Sequence, residues 1–349
     1  MRNVRVAERH HALDLIRGLA ALGIAIYHRM AWKSDVYLDS LGTFGVYLFF
    51  ILSALTMMLV YERTFAGGIA FDDALTFFRN RASRIFPLLL LVAVIWFAYS
   101  SVTMGYDPAL LWRAVLTGTG LMALTPPGFT STVTGAWSLA IELQFYLILP
   151  LLTLCFARLP LRFMCIICAI AVAAQQAYLF TISGHAEYWT LYVNPITFAP
   201  FFLMGFLIYK AGPKKLRGAT ALSLSAFLII SLYSLAWPGD TKQFGFWFLG
   251  LTILAFASVY FAYRSQLPAH FVALASLLGN MSYGVYLIHP FISLLTDKVA
   301  ELFDMGAGLL TFSTYLAMVF VGALALYYGF EKPARQIFRA KPRAISTLP

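Results

Sequence analysis

The amino-acid sequence predicts an all-α, polytopic integral membrane protein with about ten transmembrane helices and both termini in the cytoplasm. Of its 349 residues, 61% are hydrophobic and 11% are charged, and the mean hydropathy is +0.78. Soluble domains are about half apolar and about a quarter charged. The formal net charge of +10 would indicate nucleic-acid binding in a soluble protein. In so apolar a chain, basic cytoplasmic loops explain the charge better, so we expect the lipid bilayer, and no nucleic acid, as a partner.

Apolar stretches long enough to cross about 30 Å of hydrocarbon recur ten times along the chain. A shorter apolar piece, Leu110 to Leu124, is followed by two prolines and is predicted to be re-entrant or interfacial. We expect one transmembrane domain over residues 1–349, with no appended soluble domain, because the loops are short. The predicted spans are about 12–30, 41–61, 84–104, 136–156, 162–182, 189–209, 219–237, 244–263, 271–296 and 307–329.

The distribution of Lys and Arg predicts the orientation. With the N-terminus inside, 19 of the 25 Lys and Arg residues fall in cytoplasmic segments and 5 in outer segments. This bias places both termini in the cytoplasm and requires an even number of spans. The first apolar stretch contains Asp14 and Arg17 and has no convincing cleavage site, so no cleavable signal peptide is expected.

The first predicted helix has three ionisable residues on one stripe. An α-helix turns about 100° per residue, so Asp14, Arg17 and His28 point in nearly the same direction. Arg17 and His28 lie about 16 Å apart along the helix axis. Ionisable groups inside a membrane are costly and usually face a protein interior or a water-filled cavity. We therefore interpret this stripe as one wall of an active site.

A basic cluster is predicted where the third span begins at the cytoplasmic side. Arg81 and Arg84 are three residues apart and share a helix face there. Guanidinium groups suit phosphate because they present planar, forked donors and a permanent charge. The alternative is that both are ordinary cytoplasmic anchors. Glu331, at the cytoplasmic end of the tenth span, is placed to hold one of the arginines.

A second polar cluster is predicted in the outer halves of the fourth and ninth spans. Ser138, Glu142 and Tyr146 follow one another at four-residue spacing on one face of the fourth span. Tyr286 and His289 share a face of the ninth span. Glu142 and His289 are expected at a depth comparable to that of His28. The alternative for Glu142 and for His289 is structural pairing between helices.

A ligand with phosphates at one end and a reactive group about 16 Å or more away would reach both clusters, and acyl-coenzyme A has this shape. No metal site is expected, because Cys155, Cys165 and Cys168 have neither a second cysteine pair nor a nearby histidine to complete a zinc site. No permanently bound cofactor is expected.

Five segments resemble the membrane-bound acyltransferase-3 family, bacterial enzymes that O-acylate sugars of surface glycans. The first is the pair Arg17 and His28, separated by ten residues. The others are Phe78–Pro87, Trp137–Tyr146, Ser282–His289 and Phe330–Pro333. The likeness covers nearly the whole chain in order. It implies ten core spans, acyl-CoA (commonly acetyl-CoA) as the cytosolic co-substrate, a sugar or glycolipid acceptor, and a place in the bacterial inner membrane.

The resemblance leads to a mechanistic hypothesis. His28 is the general base that removes the proton of a sugar hydroxyl, because an imidazole exchanges protons near neutral pH. Glu142 is predicted to orient His28. The predicted phosphate-binding residues are Arg17, Arg81 and Arg84. The predicted acceptor, oxyanion or supporting residues are Ser138, Tyr146, Tyr286, Asp14 and Glu331, and His289 is a further catalytic candidate.

Two alternatives stay open at this point. Transfer could pass through an acylated histidine or serine instead of occurring directly. The chain could also be a proton-coupled exporter or flippase of a glycolipid or small metabolite, with the charged stripe as a proton relay. The absence of an internal repeat argues against transport. A purely structural scaffold would leave the alignment of Asp14, Arg17 and His28 unexplained.

Overall fold

The structure, a computed structural model, describes residues 9–34, 36–126, 130–238 and 244–339. All regular structure within these residues is helical, which confirms the predicted fold class. Pro127 and five basic residues used for the orientation lie outside the described residues: Arg2, Arg5, Lys242, Lys341 and Arg343. The helices are α1 (His11–Lys33), α2 (Asp39–Phe65), α3 (Phe71–Met104), α4 (Pro108–Thr119), α5 (Ala136–Ala157), α6 (Leu161–Ile182), α7 (Tyr188–Tyr192), α8 (Pro195–Ala211), α9 (Ala219–Ala236), α10 (Phe246–Tyr263), α11 (Ala269–Leu302), α12 (Leu309–Leu326) and α13 (Lys332–Phe338), with a 3₁₀ turn at Leu121–Leu124 and a π-helical turn at Tyr327–Glu331.

Among the described residues, nine helices are long and apolar enough to cross a membrane, which confirms a multi-pass membrane protein. The first helix, α1, is a further long helix, and its 23 residues extend about 34 Å. It is less apolar than those nine because it contains Asp14, Arg17, His28 and Arg29. The long helix with these four polar residues, α1, is therefore the helix that the sequence identifies as an active-site wall.

Three helix boundaries differ from the predicted spans. The third helix begins at Phe71, well before residue 84, because the helix continues through a polar segment outside the apolar stretch. The sixth span consists of α7 and α8, since Pro195 starts a new helix whose first turn is capped by the side chain of Asn194. The tenth span continues through the π-helical turn into α13.

The centre of the bundle is α2. Of its most apolar eighteen residues, 67% are buried, compared with 28% or fewer in α3, α6, α9 and α12. It packs against α1, α5, α8, α9 and α10. The four less buried helices present large apolar side chains outward, for example Val94, Ile170 and Val321. These side chains face the position of lipid, whose hydrocarbon is as apolar as they are.

The two helices that build the site, α1 and α11, run in parallel. Gly18 packs on Leu278 near their beginnings, and His28 contacts His289 farther along both. Helix α2 runs antiparallel to α1, because Gly42 near its beginning packs on Tyr27 near the end of α1. Glycine allows backbones to approach closely inside a membrane. Residues of α1, α2 and α11 are thereby fixed in height relative to one another.

Gly205 lies where α2 and α8 pack closely, so a larger residue there should destabilise the protein. A Cβ atom at Gly205 would lie 2.5 Å from Cβ of Ala54 and 2.6 Å from the carbonyl oxygen of Ile51. We expect Gly205→Ala to lower the free energy of unfolding by about 1–3 kcal/mol, because the helices must separate. The measurement is the thermal unfolding midpoint of the purified protein in detergent. The matched control is Gly250→Ala, where nothing lies within 4 Å of the new atom. Equal midpoints for both variants would contradict this packing.

Candidate active site

Two cavities occupy the half of the bundle where α1 begins and α2 ends. The basic cavity has a volume of about 360 Å³, and the central cavity has a volume of about 90 Å³. The basic cavity is lined by Val60, Tyr61, Asn80, Arg81, Ser83, Arg84, Lys332, Arg335, Gln336 and Arg339. The central cavity is lined by Arg17, Phe49, Ser53, Thr56, Met57, Arg81, Arg84, Ile85, Ser138, Leu139, Glu142, Tyr146, Ser282, Tyr283 and Tyr286.

Two further cavities continue toward the opposite end. The narrow cavity has a volume of about 20 Å³, and the aromatic cavity has a volume of about 560 Å³. The narrow cavity is lined by Val46, Phe49, Phe50, Ser138, Glu142 and Tyr286. The aromatic cavity is lined by Ile24, Tyr27, His28, Asp39, Gly42, Thr43, Val46, Gly135, Trp137, Ser183, Tyr188, Trp189, Tyr192, Phe244 and Tyr286.

These four cavities share walls in sequence. Arg81 and Arg84 line both the basic and the central cavity. Ser138 and Glu142 line both the central and the narrow cavity, and Tyr286 lines the central, narrow and aromatic cavities. A series of adjoining cavities therefore runs through the bundle, basic at one end and aromatic at the other. An extended ligand could occupy several of them at once.

The hydrogen bonds of two histidines define which nitrogen of His28 can accept a proton. Nδ1 of His289 lies 3.2 Å from the carbonyl oxygen of Val285, which can only accept, so this nitrogen bears the proton. Nε2 of a neutral His289 is then an acceptor, and it lies 3.0 Å from Nδ1 of His28. Nδ1 of His28 is therefore the donor. This assignment leaves the lone pair on Nε2 of His28, the side chain that lines the aromatic cavity.

Aromatic contacts hold the His28 ring in this position. Its centroid lies 4.9 Å from that of Trp32 and 5.0 Å from that of His289, and both pairs are stacked. His289 is fully buried and has no exposed surface. His289 thus lies behind His28, where it orients the imidazole but does not line the cavity itself.

A buried ion pair fixes the same ends of α1 and α11. Arg29 directly follows His28, and its Nη1 donates to Asp297 at 2.7 Å and to the hydroxyl of Ser293 at 2.8 Å. The side chain of Arg29 is only 6% exposed. Lys33 donates to the other oxygen of Asp297 at 2.6 Å. These bonds determine the height and rotation of α1 relative to α11, and therefore the contact between the two histidines.

Glu142 belongs to a different part of the site. One of its oxygens accepts hydrogen bonds from the hydroxyl groups of Ser53 and Tyr146, and these two hydroxyls also contact each other at 2.6 Å. Arg17 is close enough to Glu142 and Tyr146 to interact with both electrostatically. The carboxylate is thereby held in the wall of the central cavity, away from the aromatic cavity that His28 lines.

Tyr286 separates the central cavity from the aromatic cavity. Its hydroxyl lies 2.8 Å from the hydroxyl of Ser138 and donates to the carbonyl oxygen of Gly135 at 3.1 Å. Gly135 has a φ angle of 87°, and a Cβ atom there would lie 2.8 Å from the Tyr286 hydroxyl. Glycine is required at this position for both reasons. The arrangement aims two hydroxyl groups at the junction between cavities.

The basic cavity has more cations than anions. Glu331 is buried and accepts a hydrogen bond from Arg335 at 3.2 Å. The guanidinium of Arg81 lies over the ring of Tyr61 at 5.6 Å, and its Nε is buried without a hydrogen-bond partner. Arg84 faces the same cavity. A guanidinium with a buried, unpartnered N–H favours a bound anion, and phosphate matches its forked geometry.

The comparison with known families agrees with this geometry. The model of the family described as "Acyltransferase domain" (Acyl_transf_3) matches residues 10–328, which is nearly the whole chain. The chain belongs to this acyltransferase family. The resemblance found in the sequence is thereby confirmed.

The chain is similar in sequence to two curated proteins. The chain is 26% identical over 323 residues to O-acetyltransferase OatA of Staphylococcus aureus, covering 79% of this chain and 49% of that protein. It is 24% identical over 328 residues to exopolysaccharide production protein ExoZ of Rhizobium meliloti, covering 86% of this chain and 92% of that protein. The chain thus spans about half the length of OatA. No solved structure matches it.

The structure places most of the predicted residues of this acyltransferase in the cavity walls. Arg17, Arg81 and Arg84 line the central cavity together, as the predicted phosphate site requires. Tyr146, Ser138 and Tyr286 also line it, and Glu331 holds Arg335 beside the basic cavity. Asp14 differs, because it lines none of these four cavities. It pairs with Arg9 at 2.6 Å and packs on Gly279, so it anchors the beginning of α1.

The predicted partner of His28 was wrong. Glu142 was expected to orient His28, but it bonds to Ser53 and Tyr146 on the central cavity, and His289 contacts His28 instead. The physical reason is that α1 packs against α11, which brings His289 beside His28, whereas Glu142 faces α2.

The sequence analysis also missed several residues of the site. Ser53 resembled a small packing residue in an apolar helix, and Arg29 was counted as a basic residue of an outer loop. Asp297 is the available signal, because it directly follows the predicted ninth span at its outer end, where Arg29 ends the first span, so the two opposite charges have similar expected depths. The basic residues Arg335 and Arg339 had been used only to establish the orientation, and Lys332 for the orientation and as part of the segment Phe330–Pro333.

Proposed function

We propose that this membrane protein transfers an acyl group, usually acetyl, from acyl-CoA to a hydroxyl of a sugar on a surface or exported glycan. The observation that supports this most strongly is the position of His28 in the wall of an aromatic cavity, which shares a wall with the central cavity, which in turn shares a wall with a basic cavity at the other end of the bundle. A donor with distant phosphate and thioester groups fits such a series of cavities.

The donor is proposed to enter from the basic cavity. Arg81 and Arg84 line this cavity and the central one, so phosphate bound there lies at the mouth of the passage. The central cavity is small and has polar walls that include Ser53, Glu142 and Tyr146. Such a passage suits the extended pantetheine arm, whose amides can hydrogen-bond to these groups. Arg17 and His28 lie about 16 Å apart along α1, a length that this arm can span.

The acceptor is proposed to occupy the aromatic cavity. A volume of about 560 Å³ is enough for a sugar unit, and the walls include Trp137, Tyr188 and Trp189. Aromatic rings with a few polar groups are typical of small-molecule sites. Asp39 and Thr43 in the same wall provide oxygen atoms for sugar hydroxyls. His28 lies in this wall, so a bound hydroxyl can reach its Nε2.

In the proposed reaction, Nε2 of His28 removes the proton of the sugar hydroxyl while its oxygen attacks the thioester carbonyl. His289 accepts the hydrogen bond from Nδ1 and keeps the imidazole in the required tautomer. The hydroxyls of Ser138 and Tyr286 both donate to the carbonyl oxygen of Gly135, and one of them turns from it to donate to the thioester carbonyl oxygen as negative charge develops there. The carbon–sulfur bond then breaks, and the leaving thiolate takes the proton from the His28 imidazolium to give free coenzyme A.

The orientation follows from the same proposal. Coenzyme A is a cytosolic molecule, so the basic cavity opens to the cytoplasm, in agreement with the predicted bias of Lys and Arg. The aromatic cavity then lies toward the outer side of the bacterial inner membrane, where glycolipid intermediates are exposed. The relative named for exopolysaccharide production, ExoZ, supports a glycan acceptor.

The test is to measure acyl transfer by purified protein reconstituted in liposomes with acetyl-CoA and de-O-acetylated surface glycan. We expect free thiol and acetylated glycan in equal amounts, the glycan gaining the mass of an acetyl group. Thiol released equally without glycan would indicate hydrolysis and contradict the proposed acceptor. Glycolipid that crosses the bilayer with no thiol released by any acceptor would support the transporter instead.

A further inference from the structure

The short helix α13 and α3 both contribute to the wall of the basic cavity. Lys332, Arg335 and Arg339, which directly follows α13, line it together with Arg81 and Arg84 of α3. Nε of Arg79 donates to the carbonyl oxygen of Phe338 at 3.1 Å and ties α13 to α3. The chain enters α13 through the π-helical turn, a feature frequent at functional sites. The cavity is therefore built from two segments that are distant in sequence.

Charge in this cavity indicates a ligand with more than one phosphate. Its described walls contain five cationic side chains and no carboxylate. Glu331 lies behind Arg335 and neutralises part of its charge. The other four cations have no carboxylate in the cavity wall, and Nε of Arg81 is buried without a partner. A single phosphate at Arg81 and Arg84 would leave Lys332 and Arg339 without an anion in the cavity wall.

The walls that the basic and central cavities share indicate which phosphate of coenzyme A lies near α3 and which lies near α13. Arg81 and Arg84 line both the basic and central cavities, whereas the residues of α13 line only the basic cavity. In coenzyme A, the pyrophosphate joins the pantetheine arm, and the 3′-phosphate lies on the ribose beyond it. With the arm in the central cavity, the pyrophosphate lies between Arg81 and Arg84. The 3′-phosphate then lies farther from the central cavity.

We propose that Lys332, Arg335 and Arg339 bind the ribose 3′-phosphate of the donor, so that this segment distinguishes coenzyme A from its 3′-dephospho form. The proposal rests on coenzyme A as the donor in the proposed function. Each charged hydrogen bond to phosphate changes binding by about ten- to a hundredfold. The difference in binding between coenzyme A and its 3′-dephospho form should therefore be measurable.

The test compares acetyl-CoA with acetyl-3′-dephospho-CoA in the full-length protein. We expect the wild-type KM to be about ten- to a hundredfold higher for the dephospho donor, with kcat little changed. The double variant Lys332→Gln with Arg339→Gln should have a raised KM for acetyl-CoA and little discrimination between donors. Both side chains are exposed, so folding should be preserved. The matched control is Arg162→Gln, an exposed arginine outside the cavity.

Direct binding of coenzyme A and 3′-dephospho-CoA, measured by thermal shift of the same proteins, separates this proposal from the proposed reaction. Preferential binding of coenzyme A that the double variant loses would support it even without turnover. Equal binding of both compounds by the wild-type protein, binding of neither, or full discrimination by the double variant would overturn it. In the first and third cases, acyl transfer from acetyl-CoA would still support the proposed function.

Discussion

Replacing His28 by alanine is expected to lower the rate of acyl transfer at least about a hundredfold, because the proton acceptor for the attacking hydroxyl is lost. Binding of the donor should change little, since His28 lines the aromatic cavity and the donor phosphates are proposed to bind at the basic cavity. The measurement is thiol release in the presence of acceptor glycan, together with coenzyme A binding by thermal shift.

A second histidine substitution provides the control for this experiment. His270 is exposed at the beginning of α11, far along the chain from the contact with His28, and His270→Ala should retain wild-type activity. His289→Gln should lower the rate less than His28→Ala, because the proton acceptor remains and only its tautomer and orientation are disturbed. Transfer by His28→Ala at the wild-type rate would remove the imidazole from the mechanism.

Two of the three residues of the predicted α1 stripe line cavities, because the rotation per residue of a helix is constant, whereas Asp14 pairs with Arg9 instead. Arg17 and His28 were expected to face cavities, and both do. The apolar stretches likewise predicted the long helices, since crossing hydrocarbon requires a fixed length. Boundaries such as the beginning of α3 were less accurate, because a helix continues into a polar segment wherever its side chains find partners.

Partners across helices could not be predicted in the same way. The depth of a residue in the membrane follows from its position in the span, but contacts depend also on which helices are neighbours. Glu142 and His289 were assigned similar depths, and only the packing of α1 on α11 selects His289 as the partner of His28. One sequence contains no information on which helices are adjacent.

Arg29 is a second residue whose partner on another helix could not be predicted from the sequence. It follows His28 directly and was counted as an outer basic residue, because a charge near the end of an apolar stretch resembles a loop residue. In the structure its side chain is buried against Ser293 and Asp297, about one and two helical turns beyond His289. The ion pair is therefore one of the contacts between α1 and α11 that orient the two histidines, although it lines none of the four cavities.

Breaking this ion pair is expected to reduce both stability and activity. Asp297→Asn would leave the buried charge of Arg29 without a carboxylate, and we expect a loss of about 3 kcal/mol in the free energy of unfolding. Arg29→Met should cost less, because Asp297 is 27% exposed and keeps its bond to Lys33. In both variants kcat should fall while the KM for acetyl-CoA stays unchanged, because the ion pair lies beside the two histidines and neither α1 nor α11 contributes to the wall of the basic cavity.

The double variant tests whether the pair acts as a unit. If Arg29 and Asp297 stabilise the fold mainly through each other, Arg29→Met combined with Asp297→Asn should be less destabilised than the sum of the single variants. Thermal unfolding in detergent measures this, and the exposed pair of Lys298 and Glu301 on the same helix is the control. Lys298→Gln should leave the unfolding midpoint nearly unchanged, because an exposed ion pair contributes little to stability. An equal loss for the exposed pair, or a kcat unaffected in Asp297→Asn, would mean that this contact does not position His28.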